Sequence, residues 1–218
     1  MPLFSTFLNF LFPPRCPNCS AYVEDRGTFC AVCERRLVHV HALACPQEFL
    51  PYLDGIWAFA HYREGVRNLL RTLKYQGKKS ALPALHKILA AGEVPLAQLP
   101  HPLTAVGVPL SPERLRTRGF NQVEEIFAPW LAAHDITLAP LLVRTRETAP
   151  LYARTRTERR QELCGAFAMA EGAHAAGKNI LLVDDIMTTG ATLGECARTL
   201  KRAGAHHIYA FVLASEHL

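Results

Sequence analysis

Two adjacent carboxylates, Asp184 and Asp185, follow an apolar run that ends at Val183. A hydroxyl-rich turn comes next, in which Thr188, Thr189 and Thr192 surround Gly190, and a helical pattern begins at Ala191. Free N–H groups at a helix start attract anions, and glycine lets the backbone approach them closely. Carboxylates would repel a phosphate alone, so the pair indicates a ligand that also carries vicinal hydroxyls or a bridging magnesium ion. A ribose 5-phosphate satisfies both requirements.

The second constellation consists of two CxxC pairs separated by ten residues, Cys16–Cys19 and Cys30–Cys33. Four thiolates at this spacing suit tetrahedral zinc, and a single redox CxxC motif does not account for two pairs. Closed four-thiolate coordination leaves no open position, so the predicted zinc is structural. His39 and His41 are either surface residues or further ligands, and the sequence leaves that choice open.

The apolar run Ile180–Val183 predicts a short strand buried on both faces, as in the centre of a parallel sheet. The helix that begins near Ala191 has an apolar stripe and a predicted C-cap at Gly204. Ligands of such sheets bind outside the carboxyl ends of the strands. The turn of residues 186–192 therefore lies where a ligand would bind, and the residues expected to contact it include Ile186, Met187 and Ala191.

A second candidate ligand contact follows the predicted strand Thr104–Val108. A proline-bounded turn at Leu110 and Ser111 leads to three arginines, Arg114, Arg116 and Arg118, which the pattern places in a loop. Such a loop could hold a pyrophosphate or a nucleic-acid backbone. A helix is predicted to begin near Asn121, and a strand is predicted over Ile136–Val143.

The segment Arg144–Cys164 is the most basic part of the chain and contains Arg159. It is predicted to be a surface loop with some helix, placed as a lid over the phosphate turn. A return strand is expected at Ala166–Ala170, and Ile208–Ala214 is expected to close the sheet. Earlier, a strand at Gly55–Tyr62 precedes a helix whose basic residues, including Lys74, either form a solvated face or serve the site.

The sequence VDDIMTTGAT resembles the phosphoribosyl pyrophosphate (PRPP) signature of type I phosphoribosyltransferases. A Walker B strand would also place an acid after four apolar residues, and GAHAAGK spells most of a P-loop. That alternative fails because Asn179 replaces the required Ser or Thr and the loop leads into a strand. The resemblance implies that Asp184 and Asp185 hold the ribose hydroxyls and magnesium, that residues 186–192 hold the 5-phosphate, and that Leu110 and Ser111 face the pyrophosphate.

Nearly the whole chain resembles the ComF family, which includes ComFC and GntX-like proteins. The resemblance rests on the paired CxxC motifs, LKYQGK, VPLSPERLRTRGFNQ, the arginine-rich segment ending in GAF, and VDDIMTTGAT. It implies a link to competence and the handling of imported DNA, with competence-machinery proteins or a second copy of the chain as partners. Two departures are the lone Cys45, where a second cysteine pair is often found, and Glu162 in place of Asn.

Composition bounds the remaining possibilities. The 218 residues, half of them apolar, suffice for one α/β domain with an appendage, and wholesale disorder is excluded. A net charge of +5 permits an anionic partner without requiring one. Seven cysteines without a secretory signal indicate reduced thiols and a cytoplasmic location. The apolar start, Met1 to Phe12, is too short to span a bilayer and is expected to be an amphipathic helix.

The sequence thus predicts an N-terminal zinc-knuckle segment over residues 1–50, followed by a phosphoribosyltransferase-like domain over residues 51–218. The domain is expected to be a parallel sheet flanked by helices. Two functional hypotheses remain open. One is a phosphoribosyltransferase that uses PRPP and magnesium, with an acceptor that the sequence does not identify. The other is a binding protein that uses the same fold to sense a ligand or bind single-stranded DNA, with Phe120 and Tyr152 near the arginines as stacking surfaces.

Overall fold

The computed structural model describes residues 12–147 and 155–216. The helices are α1 (Ala31–Leu37), α2 (Glu64–Gln76), α3 (Leu82–Ala91), α4 (Pro112–Arg118), α5 (Gln122–Ala133), α6 (Arg156–Leu163) and α7 (Ala191–Arg202). The strands are β1 (Val38–Ala42), β2 (Gly55–His61), β3 (Leu103–Gly107), β4 (Thr137–Leu138), β5 (Leu142–Arg144), β6 (Phe167–Met169), β7 (Asn179–Met187) and β8 (Ile208–Ser215). Short 3₁₀ turns lie at Gln47–Phe49, Lys79–Ala81 and Leu96–Gln98.

Six strands form the main sheet in the order β1-β2-β8-β7-β3-β4. All neighbours in it are parallel except β1, which pairs antiparallel with β2 at one edge. β5 and β6 form a separate antiparallel pair. Because β7 lies between β8 and β3, its carboxyl end is at the centre of the edge where ligands of parallel sheets bind.

Helices cover both faces of the sheet, as the predicted architecture requires. On one face, Leu70 of α2, Leu85 of α3 and Phe127 of α5 pack with Phe59 of β2 in one buried cluster. On the other face, the second cluster joins α6, α7 and the Gln47–Phe49 turn to the sheet. β7 is buried at every position except Asn179 and Ile186, which explains its near-continuous apolar sequence.

The cysteine segment is not a separate body, because its buried residues share a core with the sheet domain. Cys16, Phe29 and Cys33 belong to the same cluster as Phe59 and Leu70. β1, which follows α1 directly, continues into the main sheet through its pairing with β2. Zinc binding and the packing of the sheet domain are therefore physically connected.

Several local predictions were wrong. The arginines of residues 114–118 lie in helix α4, not in a loop, because Ser111 and Pro112 start a helix that Gly119 ends with a left-handed φ of 79°. The strand predicted over Ile136–Val143 is broken into β4 and β5, which belong to different sheets. β8 lies inside the sheet, between β2 and β7, and does not form its edge.

Smaller differences concern the ends of elements. β7 continues to Met187, so the two aspartates lie within the strand. α7 has Ala203 at its C-cap, and Gly204 follows it with a left-handed φ of 88°. The helix expected before Phe12 lies outside the described residues. Within residues 12–147 and 155–216, no helix combines the length and apolarity needed to cross a membrane.

Candidate functional site

The two aspartates of β7 are both buried and have different partners. Asp184 is 8% exposed and Asp185 is 4% exposed. Successive side chains of a strand point to opposite faces of the sheet, so the two carboxylates have different packing neighbours in the free protein. The Oδ1 atom of Asp184 accepts a hydrogen bond from the backbone N–H of Asp185 at 2.8 Å.

Asp185 is held by two side chains from the helices that cover its face. Lys74 Nζ, on α2, lies 2.8 Å from Asp185 Oδ2. Gln122 Nε2, on α5, donates to the same oxygen at 2.9 Å. Arg118, at the end of α4, in turn donates to Gln122 Oε1. The result is a chain of polar groups that leads from the arginine helix to the acidic pair.

The environment of these groups shifts their pKa values. Burial, and then the charge of Asp185, raise the pKa of Asp184 from 3.8 to about 8. Burial alone would lower the pKa of Lys74, but the charge and hydrogen bond of Asp185 outweigh it, so the pKa of Lys74 is raised. At neutral pH the free site thus favours a protonated Asp184 beside a charged Lys74.

The turn after β7 forms a lined pocket at the start of α7. Its lining residues are Leu163, Asp184, Ile186, Met187, Thr188, Thr189, Gly190, Ala191, Thr192 and Leu193. The structure therefore brings together all the residues predicted to contact a ribose phosphate in this stretch except Asp185, which faces Lys74. Gly190 is the N-cap, with a φ of 75° that favours glycine. No side chain caps this end, so the first N–H groups of α7 have no intrahelical partners.

The N-terminal segment packs against the start of α7. A Cβ atom on Gly190 would lie 3.0 Å from Cγ of Pro46, and one on Gly194 would lie 2.3 Å from the ring of Phe49. Phe49 is buried. The Gln47–Phe49 turn thus fixes the position of the helix whose N-terminus faces the pocket.

The predicted pyrophosphate turn lies at the start of α4. Ser111 is fully buried and Leu110 is partly buried. Glu147 Oε1 accepts a hydrogen bond from the backbone N–H of Glu113 at 3.1 Å. The Ser111 hydroxyl, and then the Glu113 N–H, lower the pKa of Glu147. The side-chain carboxylate of Glu147 therefore binds the N-terminus of α4 in the free protein.

The arginines form one basic surface near these turns. Arg116 is exposed, whereas Arg114 and Arg118 are partly buried. Burial lowers the pKa of Arg118, and Arg114 lowers it further. Arg144, at the end of β5, is 9% exposed and lies 5.6 Å from the Phe167 ring centre. Burial and then the charge of Arg114 lower its pKa, so Arg144 and Arg114 interact.

The two ends of the arginine-rich segment are joined at its base. Arg146 Nη2 donates to the carbonyls of Glu162 and Cys164, at 2.6 Å and 3.1 Å. Leu163 lines the phosphate pocket, so the end of the segment reaches the place predicted for a lid. The side chain of Arg159 and all of Tyr152 lie outside the described residues.

Three residues that sequence reasoning did not assign to the site, Lys74, Gln122 and Arg144, are part of it. The sequence left open whether Lys74 forms part of a solvated face or serves the site, although it lies in the LKYQGK motif. Gln122 ends the RGFNQ motif, whose Asn121 caps α5 by accepting from the N–H of Val123 at 3.1 Å. The LKYQGK and RGFNQ motifs were the sequence features that could have assigned Lys74 and Gln122 to the site. Arg144 was expected only as the start of the lid segment, and its burial was not foreseen because it depends on the break between β4 and β5.

The four predicted cysteine ligands meet in the N-terminal module. One sulfur atom from each of Cys16, Cys19, Cys30 and Cys33 lies within 4.8 Å of the others. Cys19 and Cys30 sulfurs are 3.6 Å apart, close to the ~3.8 Å expected for two thiolates on one tetrahedral zinc with Zn–S of about 2.3 Å. Asn18 Nδ2 donates to the Cys33 sulfur at 3.2 Å, as outer partners of metal ligands do.

The thiols in this cluster cannot all ionise without a cation. Burial would raise the pKa of Cys16, but backbone N–H groups of Cys19 and Cys30 lower it to about 6. Asn18 favours the thiolate of Cys33, but burial and the neighbouring thiols outweigh it and raise the pKa to about 12. A divalent ion relieves this repulsion, so the donor set fits structural zinc.

Comparison with known families agrees with both parts of this description. Residues 7–55 match the double zinc ribbon domain. Residues 153–217, which contain the acidic pair and α7, match the phosphoribosyl transferase domain. The predicted zinc module and phosphoribosyltransferase-type fold are therefore confirmed, and the cysteine cluster together with the ribbon match supports structural zinc.

Two of three relatives compared are similar along most of the chain, and the third along half of it. The DNA utilization protein YhgH of Escherichia coli O157:H7 is 29% identical over 91% of this chain and 88% of that protein. Competence protein F of Haemophilus influenzae is 27% identical over 92% of this chain and 84% of that protein. Competence protein ComFC of Streptococcus pneumoniae is 37% identical over 50% of this chain and 46% of that protein.

Proposed function

Because the chain is a ComF-family homologue, we propose that it binds PRPP together with magnesium and transfers or senses the phosphoribosyl group in the utilization of imported DNA. The observation that carries this proposal is the pocket in which Asp184 and the Thr188–Thr192 turn meet at the N-terminus of α7. A ribose 5-phosphate needs both features, because its hydroxyls need an acidic residue and its phosphate needs an anion-binding turn.

Each part of the site has one role in this proposal. The N–H groups and threonines at the start of α7 bind the 5-phosphate. Asp184 and Asp185 hold the ribose hydroxyls and the magnesium ion, which supplies positive charge to neutralise the pyrophosphate when it is bound. Leu110 and Ser111 face the pyrophosphate, and Arg114 and Arg118 lie on the adjacent helix.

The free site must rearrange before it can hold this ligand. Lys74 neutralises Asp185 and Glu147 binds the start of α4. Both contacts occupy groups that PRPP would use, so the ligand competes with an internal cation and an internal anion. The arginine-rich segment, tied at its base by Arg146, would close over the bound ligand and exclude water from an oxocarbenium-like transition state.

Calorimetry of PRPP with magnesium tests this proposal. The combined substitution Asp184→Asn and Asp185→Asn should abolish measurable binding, because it removes both carboxylates from the ribose and metal. Asp135→Asn is the matched control. Asp135 is exposed and precedes β4, so it lies at the amino ends of the parallel strands, opposite the ends where ligands bind. Equal affinity in the wild type and the double variant would refute the site. Consumption of PRPP with candidate acceptors then separates an enzyme from a sensor.

Single-stranded DNA is a second candidate ligand. The observation that favours it is the exposed side chain of Arg116 beside Arg114 and Arg118 on α4. Phe120 is partly buried under Lys79, whose Nζ lies 4.9 Å from the ring centre, so it offers a base only limited stacking surface. The names of the relatives, which refer to DNA utilization and competence, agree with this candidate.

A further inference from the structure

Three histidine side chains, none of them part of the cysteine cluster or the acidic pair, meet at the antiparallel edge of the sheet. His39 and His41 lie on β1, and His61 is the last residue of β2. The ring centres of His39 and His41 lie 4.7 Å and 4.6 Å from that of His61. One ring nitrogen from each of the three lies within 4.8 Å of the others.

The pairing of β1 with β2 creates this cluster. His41 lies opposite Ala58 and Val38 lies opposite Ala60, so the register shifts between these two pairs. The register shift thus falls in the stretch of β1 that carries His39, beside the carboxyl end of β2, where His61 lies. The Nδ1 atoms of His39 and His41 are 3.3 Å apart.

One contact assigns the protonation of the His41 ring. Nδ1 of His41 lies 2.8 Å from the carbonyl oxygen of His39, and a carbonyl can only accept. Nδ1 therefore carries the proton, and Nε2 keeps its lone pair. That Nε2 atom is buried and makes no hydrogen bond to any residue in the described ranges. Histidines that bind metals are held in this way, with the other ring nitrogen donating to a carbonyl.

We propose that His39, His41 and His61 form a second metal site, separate from the cysteine cluster, that takes a divalent transition-metal ion such as Zn²⁺ or Ni²⁺. Imidazole suits these ions, whereas magnesium and calcium prefer oxygen. With metal–nitrogen bonds of about 2.0–2.1 Å, nitrogens on a tetrahedral ion are ~3.4 Å apart, and one ring nitrogen of each histidine already lies within 4.8 Å of the others.

The site differs in kind from the cysteine cluster. Three protein ligands leave at least one position of the ion open, as in catalytic zinc sites. His61 pairs with Ser215, which pairs with Met187 at the end of β7. His61 therefore lies at the carboxyl ends of the strands, two strand spacings or roughly 10 Å from Met187, with the ion on the β1 side of it. A pocket lined by Tyr62, Arg63, Ser215 and Glu216 adjoins His61 and leaves room for a further ligand of the ion.

Titration of Ni²⁺ into the zinc-loaded full chain, without an affinity tag, tests this site. We expect one Ni²⁺ per chain to bind beyond the zinc of the cysteine cluster. His39→Ala, His41→Ala and His61→Ala should each weaken that binding by about 100-fold or more, since even outer partners of metal ligands contribute about 10–100-fold. His206→Ala is the matched control, because His206 is exposed and its ring centre lies 4.3 Å from that of His207.

Three outcomes overturn the proposal. They are no binding of added Ni²⁺ by the wild type, unchanged binding in His39→Ala and His41→Ala, and loss of binding in His206→Ala alone. A Co²⁺ titration locates the ion independently, because only binding at the cysteines produces thiolate-to-cobalt charge-transfer absorption. His39 is exposed, so His39→Ala should keep the wild-type circular dichroism spectrum and remain a fair test.

Discussion

Lys74 Nζ lies 2.8 Å from Asp185 Oδ2, and this ion pair joins helix α2 to the centre of the sheet. The lysine side chain is 20% exposed and the aspartate side chain is 5% exposed, so neither charge is well hydrated. In the free protein the pair occupies a carboxylate that a ribose or a magnesium ion would use. Lys74 therefore stabilises the free protein and, in the proposed complex, would compete with the ligand for Asp185.

Lys74→Met should destabilise the protein by about 3 kcal/mol, because it leaves the buried carboxylate of Asp185 without its cation. Lys79→Met is the matched control, since Lys79 forms a pair of similar length, 2.7 Å, with Glu125, but with side chains that are 54% and 33% exposed. Such a surface pair contributes about 0–1 kcal/mol. Urea unfolding of both variants measures the difference. Equal losses would show that burial does not govern the Lys74 pair.

The free energy of unfolding should fall as the pH rises towards 8. The pKa of Asp184 is raised from 3.8 to about 8, so between these values the folded state binds more protons than the unfolded state. Between about pH 6 and about pH 8 the free energy of unfolding should fall by about 2–3 kcal/mol, because the folded state holds one proton on Asp184 that the unfolded state does not. Asp184→Asn should remove that slope and be more stable than the wild type near pH 8. Denaturation in magnesium-free buffer measures it, with Asp135→Asn as a control that keeps the slope.

Purified protein should contain zinc in the cysteine cluster, and Cys30→Ser should release it. Loss of the ion should also lower the stability of the sheet domain, because Cys16 and Cys33 are buried in the core that contains Phe59. Cys164→Ser is the control, since Cys164 is exposed and lies outside the cluster. Metal analysis and thermal unfolding check this prediction. Protein that keeps its fold and lacks zinc after reduction and chelation would contradict it.

Gly194→Ala should weaken PRPP binding without touching the pocket. A Cβ atom there would lie 2.3 Å from the buried ring of Phe49, and such overpacking costs about 1–3 kcal/mol. Alanine gains about 1 kcal/mol over glycine within a helix, so a clash this close should dominate. Gly107→Ala is the control, because its nearest neighbour would be Glu124 Cγ at 3.4 Å. Urea unfolding and calorimetry measure both effects, and a stabilised Gly194→Ala variant would refute the packing argument.

If single-stranded DNA binds to α4, its affinity should depend on salt. Log affinity should fall with log salt at roughly −0.7 per phosphate contact, and Arg116→Gln should flatten that slope by about one contact. Arg202→Gln is the control, because Arg202 is exposed at the far end of α7. PRPP should compete with the DNA if both use the arginine surface. A slope that Arg116→Gln leaves unchanged would place the DNA elsewhere.

Local motifs predicted the strand and helix that position the site better than its side-chain contacts. The strand, the turn and α7 follow from apolar runs and from Gly190, which are properties of neighbouring residues. The partners of Asp185 come from helices 111 and 63 residues away in the chain, at Lys74 and Gln122, and no periodicity encodes such a pairing. The arginines of α4 were misplaced because alternating polar residues carry no apolar stripe, although Pro112 and Gly119 mark both ends of the helix.

The two side-chain contacts of Asn18 give helix α2 a role as a mechanical link. Its Nδ2 atom donates to the Cys33 sulfur, and its Oδ1 atom accepts from the N–H of Gly65 at 2.8 Å. Gly65 is in the first turn of α2, and Lys74 is in its last turn. Helix α2 thus connects the partner of a predicted metal ligand to Lys74, whose Nζ contacts the acidic pair. If the proposed ligand binds at the acidic pair, removal of zinc should therefore change its affinity through a shift of α2.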